Sequence, residues 1–194
     1  MEKKFPEIVK EIRQSCNTGQ SLRVIFQDEA RFGRISSIHS CWYPKQLRPL
    51  SRMQISQQYV YAYGAVSIAD GKLESLILSG CNTRTMQIFL EEISSRHREE
   101  KILMVMDGAG WHKSKELVIP DNMAIAILPA YSPELNPVEQ IWKEIRMKGF
   151  YNRIFDSLDA LEDNLLEQLC RLENDNVTVK SIMSWQWLFN AIMI

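Results

Sequence analysis

The feature that most constrains the fold is a proline-rich turn inside Leu128–Arg146, between an apolar segment and an amphipathic pattern. Three prolines within nine residues restrict the backbone of this turn. Asn136 and Pro137 suit the N-cap and the first position of a helix. Apolar residues then recur at helical spacing and predict one buried face, at Val138, Ile141, Trp142 and Ile145. Such a turn would hold the carboxylate of Glu139 at one fixed place.

Two local roles of Glu139 compete with a functional one. Glu139 lies three residues after Asn136, which fits a capping box at the start of the helix. It could also pair with Lys143, one helical turn later. Judged from this stretch alone, the local roles are the favoured interpretation.

Two apolar segments before this turn each end in a carboxylate. Leu22–Asp28 has the residue types of a strand, and Lys101–Asp107 is as apolar as a central strand covered on both faces. Because strand side chains alternate, Asp28 and Glu29 should face opposite sides of the sheet. We therefore expect only one of these two acids to reach a given site.

The order of the predicted elements indicates how these acids meet. A hairpin over Tyr59–Leu78 follows the first strand, and helices then alternate with two further strands. This order predicts an α/β fold, with a mixed five-stranded sheet flanked by helices. If the first and fourth strands are adjacent and parallel, Asp28 and Asp107 emerge at one edge. The helix after the fifth strand brings Glu139 to the same edge.

Three carboxylates that converge without basic neighbours would repel one another and resist ionisation. A bound divalent cation removes this conflict, and ligands that are all oxygen atoms favour Mg²⁺ or Mn²⁺. Two such ions roughly 4 Å apart are a known arrangement for in-line phosphoryl displacement. The sequence therefore predicts two ions held by Asp28, Asp107 and Glu139.

The segment Ala30–Gln58 shows no strand or helix pattern, but it carries five basic residues and no acidic one. Basic groups with interleaved aromatic side chains suit phosphate contacts and base stacking. The candidates for contact with a nucleic acid are Arg31, Arg34, Trp42, Lys45, Arg48 and Arg52. A solvated loop is an equally good interpretation. His112 is a further candidate, for a phosphate or an active-site water, with a solvent-facing histidine as the alternative.

Composition limits the class of protein. The formal net charge is −1, so affinity for nucleic acid must come from a local patch. The four cysteines form no Cys-x-x-Cys pair and the three histidines are scattered, which argues against a zinc site. The amino terminus is charged and no segment suits a membrane span, so we expect a cytoplasmic protein.

Three motifs carry a family resemblance: Phe26–Phe32, Met106–Ser114 and Leu128–Trp142. They resemble the catalytic domain of the mariner-like DDE transposases, most closely the bacterial insertion-sequence branch. The resemblance implies an RNase H-like fold and a Mg²⁺-dependent polynucleotidyl transferase and endonuclease. It also implies a catalytic triad of Asp28, Asp107 and Glu139, with 31 residues between the last two. A capping role of Glu139 then adds to its metal role.

The resemblance also implies partners and a division of the chain. Family members bind transposon ends and target DNA, act as dimers, and in a bacterium would be associated with the nucleoid. They carry an amino-terminal helix-turn-helix reader, whereas residues 1–20 predict one short helix. We expect a linker remnant over 1–20, the catalytic domain over 21–155 and packed helices over 156–194. Three explanations would account for the missing helix-turn-helix region: it is a separate polypeptide, the reading frame is split or frameshifted, or the chain is a decayed fragment.

Other functions stay open at this point. One is a metal-dependent nuclease of the same fold that lacks strand transfer. Another is a non-catalytic remnant that binds DNA or pairs with an intact transposase. A phosphoacceptor receiver domain also has acids at strand ends, but it has no use for the proline-rich turn and Glu139.

Overall fold

The computed structural model describes residues 5–46, 50, 52–114, 116–129, 135–183 and 185. The strands are β1 (Leu22–Ile35), β2 (Ile55–Ser67), β3 (Leu73–Leu78), β4 (Lys101–Met106) and β5 (Met123–Ile127). The helices are α1 (Phe5–Gln14), α2 (Thr83–Arg96), α3 (Val138–Gly149), α4 (Leu158–Glu173) and α5 (Asn176–Ile182). A 3₁₀ turn, Gly110–Lys113, follows β4. None of the described helices has the length and apolar character of a membrane span.

The five strands form one mixed sheet in the order β3-β2-β1-β4-β5. β2 pairs antiparallel with both β1 and β3, while β4 pairs parallel with both β1 and β5. The prediction of a mixed five-stranded sheet with adjacent, parallel first and fourth strands is confirmed.

Helices cover both faces of the sheet. The core under α1, α3, α4 and α5 includes Phe26 and Val105, whereas the core under α2 includes Ile25 and Met104. Because side chains alternate along a strand, neighbouring residues of β1 and of β4 enter different cores. This explains why β4 is apolar throughout. The apolar carboxy-terminal residues 186–194 lie outside the described part of the chain.

The prediction that β1 ends at Asp28 is wrong. β1 pairs with β4 only as far as Phe26, but it continues along β2 to a pair between Ile35 and Ile55. Asp28 therefore lies within a strand, opposite Gly64. The continuation was missed because its polar and glycine residues interrupt the apolar pattern. The prediction that Ala30–Gln58 contains no strand is therefore wrong at both ends, because β1 continues to Ile35 and β2 begins at Ile55.

The start of α3 differs by one residue from the prediction. Pro137 is the N-cap, and no side chain caps the helix. Asn136 is 3% exposed; its Oδ1 accepts from the backbone N of Val138 at 3.3 Å, and its Nδ2 donates to the carbonyl of Gln27 at 2.9 Å. Asn136 therefore joins the helix start to β1. Among the described residues, Glu139 makes neither the capping-box hydrogen bond nor an ion pair with Lys143.

Gly64 provides a test of this packing. A Cβ on Gly64 would lie 2.7 Å from Cη2 of Trp142, whose side chain is buried. We expect Gly64→Ala to lower the free energy of unfolding by about 1–3 kcal/mol through overpacking, as measured by urea denaturation. Gly110→Ala is the control, since its Cβ would meet no atom within 4 Å. Equal effects of the two substitutions would contradict the expectation.

Candidate active site

Asp28 is the buried member of the candidate site. It is 9% exposed and shares the α3 side of β1 with Phe26. Its Oδ2 accepts a hydrogen bond from Nε1 of Trp142 at 2.9 Å. Burial and the negative charges of Glu139 and Glu29 outweigh that hydrogen bond and raise the pKa of Asp28 to about 8. Without a bound cation, the surroundings of this carboxyl group therefore favour its protonated form.

Asp107 and Glu139 are the exposed members of the site. Asp107 directly follows β4, its side chain is 54% exposed, and its Oδ1 accepts from the backbone N of Ala109 at 3.0 Å. Glu139 is the second residue of α3, where the helix dipole favours an ionised carboxylate. The charges of Glu139 and Asp107 both raise the pKa of Asp28. The β1–β4 ladder ends at Phe26 and Val105, just before Asp28 and Asp107, and Trp142 of α3 contacts Asp28, so all three carboxylates lie at one end of the sheet.

The three carboxylates do not form a closed ligand group. Within the part of the chain that the structure describes, no three Asp, Glu, His or Cys side chains are grouped closely enough to hold a metal ion. The donor chemistry nevertheless fits a hard divalent cation, because all three groups offer carboxylate oxygens. Burial is the main cause of the raised pKa of Asp28, and the nearby negative charges, which a cation would offset, raise that pKa further.

A fourth acid, Glu29, reaches the site from the opposite face of the sheet. Its Oε1 lies 2.9 Å from Nε2 of His112 and accepts a hydrogen bond from Nε1 of Trp111 at 3.2 Å. Nδ1 of His112 lies 2.8 Å from Oδ1 of Asp107. Burial opposes protonation of the ring, but hydrogen bonds to Asp107 and Glu29 raise the pKa of His112 to about 10. Neither ring nitrogen is therefore available to a DNA phosphate.

Sequence reasoning missed Glu29 because strand alternation turns it away from Asp28. That argument does not describe the path of the chain after β4, where the 3₁₀ turn brings Trp111 and His112 across the sheet end. The sequence signal that could have indicated a partner for Glu29 is the pair Trp111 and His112, shortly after Asp107.

The predicted DNA-contact residues differ in their surroundings. The Arg31 guanidinium stacks over the ring of Tyr59 at 4.6 Å, and its side chain is exposed. Trp42 is fully exposed, and Lys45 and Arg52 are exposed as well. Arg48 lies outside the described residues.

Arg34 has a structural role. Its Nε donates to the carbonyl of Phe155 at 3.0 Å, and its Nη2 donates to the carbonyl of Asp156 at 2.7 Å. Its Nη1 donates to Gln58. These contacts join β1 to the segment that precedes α4, so the guanidinium has little capacity left for phosphate.

Comparison with known proteins connects this geometry to a family. Residues 23–162 match the family model described as DDE superfamily endonuclease. The chain belongs to the DDE endonuclease superfamily. It is also 35% identical over 130 residues to the uncharacterized protein y4pE/y4sA of Sinorhizobium fredii (strain NBRC 101917 / NGR234). That alignment covers 66% of this chain and 96% of the relative.

Solved structures of the Mos1 mariner transposase share the fold of this chain. The Mos1 strand transfer complex superposes with a TM-score of 0.60 at 14% identity, over 99% of this chain and 59% of the Mos1 chain. The Mos1 mariner paired end complex with Mn gives 0.59 at 15% identity, over 98% and 61%. The predicted RNase H-like sheet and the resemblance to mariner-like DDE transposases are thus confirmed. The chain spans about three fifths of the Mos1 chain.

The buried carboxyl group of Asp28 makes the stability of the protein depend on pH. The folded-state pKa of Asp28 lies above its ordinary value of 3.8, so its stabilising contribution is lost as pH rises from about 4 through about 8. One such group changes the free energy of unfolding by at most about 1.4 kcal/mol per pH unit. In EDTA, urea denaturation at pH 5 and pH 8.5 should show Asp28→Asn gaining stability relative to wild type at the higher pH.

The control for this measurement is Asp163→Asn, on the exposed surface of α4. This variant should follow wild type at both pH values. A constant difference between Asp28→Asn and wild type would show that Asp28 does not keep its proton in the folded, metal-free protein.

Proposed function

We propose that this chain is the catalytic domain of a transposase. It would cleave DNA at transposon ends and join the freed 3′-hydroxyl to target DNA, with Mg²⁺ or Mn²⁺ as cofactor. The observation that carries the proposal is the presence of Asp28, Asp107 and Glu139 at one end of the sheet in a DDE endonuclease. Mos1 structures described as a strand transfer complex and as paired end complexes with Mn and with Mg share the fold, which supports the proposal.

The metal ligands in this proposal are Asp28, Asp107 and Glu139, which would hold two ions. Bound ions of this type lower the pKa of an attacking water or hydroxyl and stabilise the leaving oxygen. Trp142 orients the Asp28 carboxylate through its indole N–H, and Ala109 does the same for Asp107 through its backbone N–H. Glu139 is exposed on the first turn of α3, the helix whose Trp142 contacts Asp28.

DNA is the partner in this proposal. Arg31, on the last part of β1, and Lys45 and Arg52, in the connection from β1 to β2, would contact phosphates, and the exposed ring of Trp42 would stack on bases. Arg48 belongs to the same basic segment. A homodimer would act on two transposon ends, and a helix-turn-helix region or polypeptide beyond these residues would recognise them. Action on DNA would make the bacterial nucleoid the site of action.

The second candidate function is a non-catalytic DNA-binding protein of the same family. The observation that favours it is that the described acids form no ready metal-ligand group. A nuclease without strand transfer is a third outcome of the test below.

The test is Mn²⁺-dependent nicking of plasmid DNA and joining of a pre-cut DNA end. We expect activity in wild type and losses of more than about 100-fold in Asp28→Asn, Asp107→Asn and Glu139→Gln, because even outer residues of metal sites contribute about 10–100-fold. Asp163→Asn should keep wild-type activity. Nicking without joining would indicate a plain nuclease. DNA binding without either activity would support the non-catalytic candidate.

A further inference from the structure

The contacts between Glu29, His112 and Asp107 form a continuous chain from β1 to the end of β4. Oε1 of Glu29 lies 2.9 Å from Nε2 of His112, and Nδ1 of His112 lies 2.8 Å from Oδ1 of Asp107. The same Nδ1 also lies 3.0 Å from the backbone carbonyl of Asp107. Both ring nitrogens are thus used, and the imidazole has one fixed orientation.

Burial shows that this chain of contacts is costly to maintain. The His112 side chain is fully buried and that of Glu29 is 6% exposed, whereas the Asp107 side chain is 54% exposed. Burying a carboxylate is strongly unfavourable unless charge-assisted hydrogen bonds compensate it. Trp111 supplies one such hydrogen bond to Glu29, and His112 supplies the other contact. The buried part therefore has a defined geometry, and it ends on the exposed carboxylate.

Asp107 has a particular need for such a support. It directly precedes the turn Gly108-Ala109-Gly110, and its side chain is 54% exposed. Two contacts converge on one oxygen, Oδ1: the backbone N of Ala109 at 3.0 Å and Nδ1 of His112 at 2.8 Å. These contacts restrict the rotamer of Asp107 and the plane of its carboxylate.

We propose that Glu29 and His112 are positioning residues, with Glu29 acting through His112 to hold the Asp107 carboxylate in its metal-binding orientation. This inference rests on the function proposed above. β1 then serves two of the three acids. It carries Asp28 on one face and, through Glu29 on the other face, it orients Asp107. Hydrogen bonds to groups that ligate a metal are known to improve metal affinity in this way.

The test is Mn²⁺ affinity by calorimetry for wild type, Glu29→Gln, His112→Asn and the double variant. Asn at position 112 keeps an amide near the place of Nδ1 but cannot reach Glu29. Each single substitution should weaken Mn²⁺ binding about tenfold. Because Glu29 acts only through His112, the double variant should bind as weakly as His112→Asn alone. In DNA nicking, the single variants should lower kcat and leave KM for DNA unchanged.

Two controls separate positioning from general destabilisation and from the proposed function. Val179→Ala opens space in the buried core under α5 and should lower stability without changing Mn²⁺ affinity. Asp107→Asn removes a proposed ligand and should abolish binding. If only Asp107→Asn weakens binding, the positioning inference is overturned and the proposed function stands.

Two other outcomes also decide the matter. Additive losses in the double variant, with Glu29→Gln as severe as Asp107→Asn, would make Glu29 a direct ligand and overturn its action through His112. If wild type binds no Mn²⁺ with or without DNA, the proposed function fails and this inference fails with it.

Discussion

The candidate site depends on the point at which β1 and β4 stop pairing. Their parallel ladder ends at Phe26 and Val105. Beyond this point β1 pairs with β2 for nine more residues, to Ile35, whereas the segment after β4 enters a turn. We call this point of divergence the fork. Asp28 lies on β1 just beyond the fork, and Asp107 is the first residue after β4. The divergence leaves the ends of two central strands open. Two acidic side chains can therefore lie near each other at a place that paired backbone would occupy if the two strands continued side by side.

The α3 side of the fork is built around a buried indole. Trp142 packs where Gly64 has no side chain, and it donates to Asp28. The side chain of Asn136 donates a hydrogen bond to the carbonyl of Gln27, one residue before Asp28. It also accepts a hydrogen bond from the backbone N–H of Val138, one residue before Glu139. A single buried amide thus fixes the spacing between the strand and the helix that carry two of the three acids. The cost of this arrangement is a carboxyl whose pKa is raised to about 8 in the metal-free protein.

Much of this architecture follows from the sequence, because two apolar segments that end in acids and a proline-rich turn have few compatible arrangements. The mixed sheet and the adjacency of β1 and β4 were predictable from connection rules. The continuation of β1 beyond Asp28 was not predictable. It depends on hydrogen bonds to β2, and the residue pattern of β1 itself does not indicate a strand there. The roles of Glu29 and Arg34 were also hidden. Both depend on contacts with residues distant in sequence, Glu29 with His112 and Arg34 with Phe155, that no local periodicity encodes.

The central claim is that the acids at the fork bind a divalent cation together. The most direct test is a crystal structure of the protein grown with Mn²⁺, with anomalous diffraction collected at the manganese absorption edge. The account predicts an anomalous peak bounded by carboxylate oxygens of Asp28 and Asp107, with the Glu139 side chain turned towards it. Ordered crystals that show these carboxylates but no manganese between them would contradict it.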